Sequence, residues 1–208
     1  MKIVLDFDDT IFNTYGLMQE FLKIFLIEGF NEEQFWDVYR QCKKKIGDFD
    51  KDIFVDLIYS LKNFNKEEIN KKIDFIINKS NEFVYRDFFD FVSSFKKEKL
   101  ILLSFGTTEF QKTKIENSGI SKYFSEIIIT SRNKADDMEE IQKKYNGSIV
   151  FIEDKAKAID DVKKRLPNVI AMKMIRAQGG HTETKSELTN YIIQDLNKLE
   201  GIINNLRD

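Results

Sequence analysis

Lys2-Ile3-Val4-Leu5-Asp6-Phe7-Asp8-Asp9-Thr10 sets a short apolar run directly before three carboxylates. The run Ile3 to Leu5 is too short for a core helix and reads as a buried strand. Acids that follow such a strand lie at the carboxyl edge of a sheet, where open α/β folds receive their ligands. Three carboxylates there repel one another and call for a cation. A hard ion such as Mg²⁺ answers that need, because it takes one or two carboxylates and keeps water and substrate oxygens for its other positions. Residues two apart in extended backbone share a side, so Asp6 and Asp8 address one bound group while Phe7 points elsewhere. Taken alone, the same residues also read as an acidic turn or a helix cap.

Working outward, runs of similar character recur at 100–103, 127–129, 149–152 and 169–172, with a short sixth at Tyr191–Ile193. Helical stripes lie between the later runs: Met138, Ile141 and Tyr145, then Ile159, Val162 and Leu166. Strands alternating with helices predict an α/β fold whose parallel sheet is covered on both faces. About 90 residues separate Leu5 from Leu100, where a crossover needs roughly a dozen or more. An inserted module accounts for the surplus. Its stripes (Leu17, Phe21, Ile24, Phe25; Phe35, Tyr39, Cys42; Ile53, Leu57, Ile58; Ile69, Ile73, Ile76) predict a small antiparallel helical bundle. The expected division is a core of residues 1–13 and 86–208 and a helical cap of residues 14–85. Phe88, Phe91, Val92 and Phe95 form a further helix leading back to the sheet.

The chain has 208 residues, enough for one generous domain with an insertion. With 42% hydrophobic and 33% charged residues and a single proline it is neither disordered nor linker-rich. Lys+Arg 33 against Asp+Glu 35 leaves a net charge of −2, so no global field favours nucleic acid or an anionic membrane. Any anion must be held by a local site. One cysteine excludes an internal disulfide or a multi-cysteine zinc site, and one histidine leaves no partner for histidine-paired chemistry. Cys42 reads as a buried core thiol, His181 after Gly179-Gly180 as a surface loop residue, and Trp36 as cap core. The first apolar run is broken at once by carboxylates, so it is neither a secretory signal nor a membrane span, and a cytoplasmic protein is expected.

The polar residues that end the strands resemble, in order, the motifs of the haloacid dehalogenase-like superfamily. Asp6-Phe7-Asp8-Asp9-Thr10 resembles its first motif, Asp-x-Asp-x-Thr after an apolar strand. Ser104 with Phe105-Gly106-Thr107 resembles the second, Lys134 the third, and Glu153-Asp154 the acidic fourth. The helical insertion after the first motif is where members with a small helical cap carry it, and the resemblance implies a Rossmann-like core.

What the resemblance implies is a Mg²⁺-dependent phosphatase acting on a small phosphorylated metabolite, as a monomer or small homo-oligomer. Asp6 would attack phosphorus and become an aspartyl phosphate; Asp8 would serve as general acid and then base. The Asp6 carboxylate, the Asp8 backbone carbonyl and the Asp154 carboxylate would hold the metal. Ser104 and the amides near Phe105 and Gly106 would bind phosphate oxygens, and Lys134 would neutralise their charge, with Lys112 or Lys114 as substitutes. A phosphomutase or other phosphotransferase, or a non-catalytic phospho-ligand binding protein, is the alternative on the same core. The fourth motif departs from the common pattern: Ala158 and Ile159 stand where another acid is usual, leaving Glu153 or Asp160 for that part. Asp8 disfavours carbon–halogen cleavage, since the dehalogenases usually lack an acid there. Asn13, Thr14 and Tyr15 are candidates for lining the mouth of the site.

Overall fold

Side-chain alternation along the central strands decides which helices cover which face of the sheet. The computed structural model describes residues 1–181 and 185–205. Strands β1 (Lys2–Leu5), β2 (Leu100–Phe105), β3 (Glu126–Thr130), β4 (Ile149–Glu153), β5 (Ile170–Met174) and β6 (Tyr191–Ile193) are all parallel, in the order β3-β2-β1-β4-β5-β6. The expected α/β, Rossmann-like class and the short sixth strand are therefore observed. Strand order reverses at β1, so the crevice at the switch point opens beside the residues that follow Leu5.

The helices are α1 (Thr14–Ile27), α2 (Glu32–Ile46), α3 (Lys51–Tyr59), α4 (Lys66–Ile77), α5 (Arg86–Ser93), α6 (Thr108–Asn117), α7 (Lys134–Lys144), α8 (Ala156–Arg165) and α9 (Leu199–Asn205). On one face Val4, Ile101, Leu103, Phe151 and Ala171 bury against Met138 and Ile141 of α7 and Ile159 and Val162 of α8. The other face presents Ile3, Leu5, Leu102, Ile152 and Met172 to α5, α6 and α9. Each such side chain contributes roughly 1.5–3 kcal/mol of burial. Among the described residues no helix is long and apolar enough to cross a membrane.

Helices α1 to α4 share the second of these cores, whose apolar contacts continue through Phe7, Ile11 and Phe12 into Phe21, Phe25, Phe35 and Phe54. Local chemistry sets their ends. Asn13, Asp50 and Asn65 accept from the backbone N–H of Gly16, Ile53 and Glu68, and Asn31 with Gln34 forms a capping box. Gly47 ends α2 in the left-handed region (φ 83), a conformation open to glycine at little cost. That turn aims Asp48 and Phe49 at the sheet edge.

Helices α6 and α9 have no counterpart among the stripes read from the sequence. The buried face of α6 carries Gln111 and Lys114 beside Ile115, so polar residues stand where a stripe would be apolar.

One buried cation ties the strand edge to the rest. Arg176, just past β5, donates to the Thr10 carbonyl at 2.7 Å and 3.1 Å and to both carboxylate oxygens of Asp87 on α5 at 2.6 Å and 3.0 Å. Its guanidinium also lies 4.1 Å from the Tyr85 ring centroid. Arg176→Gln leaves the half-buried Asp87 with the Leu196 N–H but without its bidentate partner and should cost about 2 kcal/mol, read as a lower urea midpoint at unchanged slope.

Candidate active site

The loop after β1 is shaped by one carbonyl. Phe7 O accepts from the N–H groups of Thr10, Ile11 and Phe12 at 3.3, 2.9 and 2.9 Å. Asp9 takes a left-handed conformation (φ 53) within it, which aspartate tolerates better than most residues. The Asp6 N–H continues the ladder to Ile152 O at 2.9 Å. Asp6 is thus fixed by the sheet, and Asp8 stands on the turn above it.

Asp6, Glu153 and Asp154 are buried, and each offers a carboxylate oxygen within 4.8 Å of the others. Lys134, the first residue of α7, donates to Asp6 and, at 2.6 Å, to Glu153. Burial first, then the charge of Glu153, pushes Asp6 up to about 7, although Lys134 opposes this. Burial, Glu153 and Asp6 hold Asp154 well above the usual carboxylate range. Burial also disfavours a charged Glu153, but Lys134 and Lys155 outweigh it and hold that carboxyl down to about 2. Two oxygens, Asp6 Oδ2 and Asp154 Oδ1, are buried with no hydrogen-bond partner. A carboxylate cluster with two orphaned hard oxygens could hold a divalent oxygen-preferring cation, and the residues fit one. The backbone at Asp154 is held from behind: buried Lys173 on β5 donates to Asp154 O at 2.7 Å and to His181 O at 2.9 Å.

Asp8 has a separate cation. Lys114 of α6, 3% exposed, donates to Asp8 Oδ1 at 2.6 Å, and its ammonium lies 5.0 Å from the Phe110 ring and 5.4 Å from those of Phe7 and Phe12. Thr14 Oγ1 donates to the same oxygen at 2.6 Å, and Gln111 Nε2 lies 2.5 Å from Asp8 Oδ2. Burial alone would raise the Asp8 carboxyl, but Lys114, Thr14 and Gln111 override it and lower it to about 2. Gln111 Nε2 is also 2.7 Å from Ser104 Oγ and 3.0 Å from Phe105 O, which links the first and second motifs.

Asp6, Asp8, Ser104, Phe105, Gly106, Lys134 and Asp154 all lie at this edge, with differences in detail. The Gly106 N–H already donates to Thr130 O at 3.0 Å, so that amide is engaged in the sheet ladder instead of being free for a phosphate oxygen. What Gly106 supplies is space: at φ +157 an added Cβ would run into Gln111 Cγ and stand 2.6 Å from Asp48 Oδ2. Lys134 and Lys114 each hold a different carboxylate, while Lys112 is exposed. Glu153 stands on Lys134, whereas Asp160 accepts from Ser186 Oγ and the Leu188 N–H at 2.6 and 3.2 Å, away from the cluster. Thr14 lines the mouth, but Asn13 caps α1 and Tyr15 stacks on Trp36 at 6.0 Å. Cys42 is buried, its thiol 3.4 Å from Asp50 O. His181, expected as a surface loop residue, is half-buried and lines the site, because Lys173 draws its carbonyl inward. Gln111, Lys114 and Lys155 were not singled out as site residues of their own. Position three apart on α6 is the signal that pairs the first two, and Lys155 directly follows Asp154.

The family model of haloacid dehalogenase-like hydrolases matches residues 3–164. No curated protein sequence matches the chain. Among solved structures, the fold is similar to a Burkholderia xenovorans protein described as a haloacid dehalogenase-like hydrolase, at TM-score 0.75, 15% identity and 95% coverage of both chains. It is similar to the L-2-haloacid dehalogenase of Xanthobacter autotrophicus at TM-score 0.69 and 13% identity, covering 98% of each chain. A Thermotoga maritima protein described as a beta-phosphoglucomutase gives TM-score 0.65 and 12% identity, covering 99% of this chain and 100% of that one.

Lys114→Met removes the only ion-pair partner of Asp8 among the described residues. Asp8 keeps Thr14 and Gln111 and is partly exposed, so the expected loss is about 2 kcal/mol, below that of a fully buried pair. Chemical denaturation of the two proteins in parallel checks it; equal midpoints would mean the pair contributes nothing.

Proposed function

The chain belongs to the haloacid dehalogenase-like hydrolases, and from that premise we propose that it is a Mg²⁺-dependent phosphatase acting on a small phosphorylated metabolite through an aspartyl phosphate. The observation that carries this reading is the presence of two carboxylates in separate electrostatic settings. Asp6 shares Lys134 with Glu153, and Asp8 has Lys114 to itself. Displacing a halide from carbon needs no proton for the leaving group, so the second carboxylate favours phosphoryl transfer over dehalogenation.

Residues 14–85 act in this reading as a cap on the core formed by 1–13 and 86–208. A cavity of about 340 Å³ has walls from both, with Met18, Tyr39 and Phe49 facing Asp154 and Lys155. The metal would be held by Asp6, Asp154 and the Asp8 backbone carbonyl, and when bound it neutralises the charge that otherwise keeps a phosphate dianion away. Lys134 and Ser104 bind phosphate oxygens. The Asp6 carboxylate attacks phosphorus as the ester P–O bond breaks, and the Asp8 carboxyl gives its proton to the departing alkoxide oxygen. A phosphate dianion entering beside Asp8 repels its carboxylate and competes for Lys114, which raises Asp8 toward the protonated form that step requires. Asp8 then takes a proton from the water that attacks phosphorus, and phosphate leaves Asp6 as the free carboxylate.

Hydrolysis of an aryl phosphate should require Mg²⁺, vanish with chelator and return with added metal; full turnover of metal-stripped protein in excess chelator overturns the metal assignment. Asp6→Asn should abolish turnover. Asp8→Asn should slow alkyl esters by roughly 10²–10⁴-fold and aryl esters less, since an aryl oxide leaves with less need of a proton. An equal loss on both ester types removes Asp8 from the acid role.

A further inference from the structure

The candidate active site opens into two cavities, of about 340 Å³ and about 420 Å³. Asp8 and Asp154 line the first, Lys134 and Glu153 the second, and both share Lys43, Asp48, Lys155 and His181. The shared walls make them one space divided where the inserted helices meet the sheet edge. Three of the four shared residues are basic, and they come from separate elements. Lys43 lies in the last turn of α2, Lys155 caps α8, and His181 follows β5.

Among the described residues, other basic groups around these cavities have acidic partners. Arg40 pairs with Asp37, Arg132 with Asp137 and Glu140, and Lys157 with Asp161. Lys43, Lys155 and His181 make no ion pair within 4.0 Å among those residues. Lys43 lies instead 5.4 Å from the Tyr39 ring and Lys155 5.6 Å from the Phe105 ring. Burial, then the charges of Lys155 and Lys43, lower the His181 imidazole, with Glu153 opposing, whereas at Lys155 burial is outweighed by Asp6, Glu153, Asp154 and Asp8, which raise that ammonium from a distance. Asp48 is the one acid among the four, and burial, then the charge of Asp8, raises its carboxyl.

We infer that the substrate carries a second anionic group, a carboxylate or another phosphoryl group, that docks between Lys43 and Lys155 beside His181 while its reacting phosphoryl group sits at Asp6. This rests on the phosphomonoester reading above. Both cavities fall in the size range of small-molecule sites. Lys43 is the specificity residue in this arrangement, since it reaches the site from the inserted helices and touches neither the carboxylate cluster nor Asp8.

Three probes on one skeleton test it with Mg²⁺ present: glycerol 3-phosphate, with no second anion, 3-phosphoglycerate and glycerol 1,3-bisphosphate. Wild type should favour at least one anionic probe by about tenfold or more in kcat/KM, mainly through KM, because a docked charge pair of this kind is worth at least that. Which probe wins tells carboxylate from phosphoryl. Lys43→Met should collapse the preference to within about threefold of unity, and Lys43→Arg should keep it. Calorimetric Kd values on Asp6→Asn should show the same ranking without turnover. Hydrolysis of glycerol 3-phosphate or an aryl phosphate with no preference for either anionic probe overturns the inference and leaves the phosphatase reading standing. A preference that survives both Lys43→Met and Lys155→Met also overturns it. If no phosphate ester is hydrolysed and none binds Asp6→Asn, both readings fall.

Discussion

Buried carboxylates at one strand edge, and the repulsion among them, are the constraint around which the rest of the molecule is arranged. Asp6, Glu153 and Asp154 stand within 4.8 Å of one another on adjacent strand ends, and leaving several like charges desolvated there costs far more than one lysine returns. Lys134 compensates Asp6 and Glu153, and Asp6 and Asp154 respond to what remains by favouring their neutral forms. A divalent cation held there would relieve the same repulsion.

The fold supplies the stiffness that this arrangement needs. Strands β1 and β4 are neighbours at the centre of a sheet buried on both faces, and the ladder bond from the Asp6 N–H to Ile152 O continues their pairing up to the site. Two more buried cations act on backbone oxygens instead of substrate. Arg176 holds Thr10 O, and Lys173 holds Asp154 O together with His181 O. Each fixes one acidic loop against a neighbouring element, which is how side chains on loops keep the precision of side chains on strands.

Helix α6 makes the difference between a generic cluster and this particular site. Gln111 spans Asp8, Ser104 and Phe105 O, and Lys114 gives Asp8 a charge environment unlike that of Asp6. Two acids two positions apart in sequence thereby acquire opposite tendencies, one raised and one lowered. Divergent settings of paired carboxylates are what a nucleophile and a proton carrier require. Similar folds at 12–15% identity carry names from dehalogenase to phosphoglucomutase, so it is this local chemistry that distinguishes among reactions.

Periodicity alone determined the sheet, because strands buried on both faces read as unbroken apolar runs: Ile3–Leu5 and Ile149–Ile152 admit few other interpretations. The acidic edge was legible for a related reason, since Asp6 and Glu153-Asp154 each follow such a run directly, and the surplus between Leu5 and Leu100 announced the insertion. Tertiary structure alone decided the partners. Lys134 reaches Asp6 across 128 residues and Lys114 reaches Asp8 across 106, and among so many lysines hydrophobic patterning marks neither as buried, although the resemblance to the third motif singled out the position of Lys134. Helix α6 escaped the reading because it turns polar residues inward, so its stripe is written in Gln111 and Lys114 instead of in apolar side chains. The Gly106 amide, His181 and the cation cluster at Lys43 and Lys155 depend on where loops from distant segments meet, and hydrophobic patterning, which records burial, carries no information about which buried or half-buried polar groups will face one another.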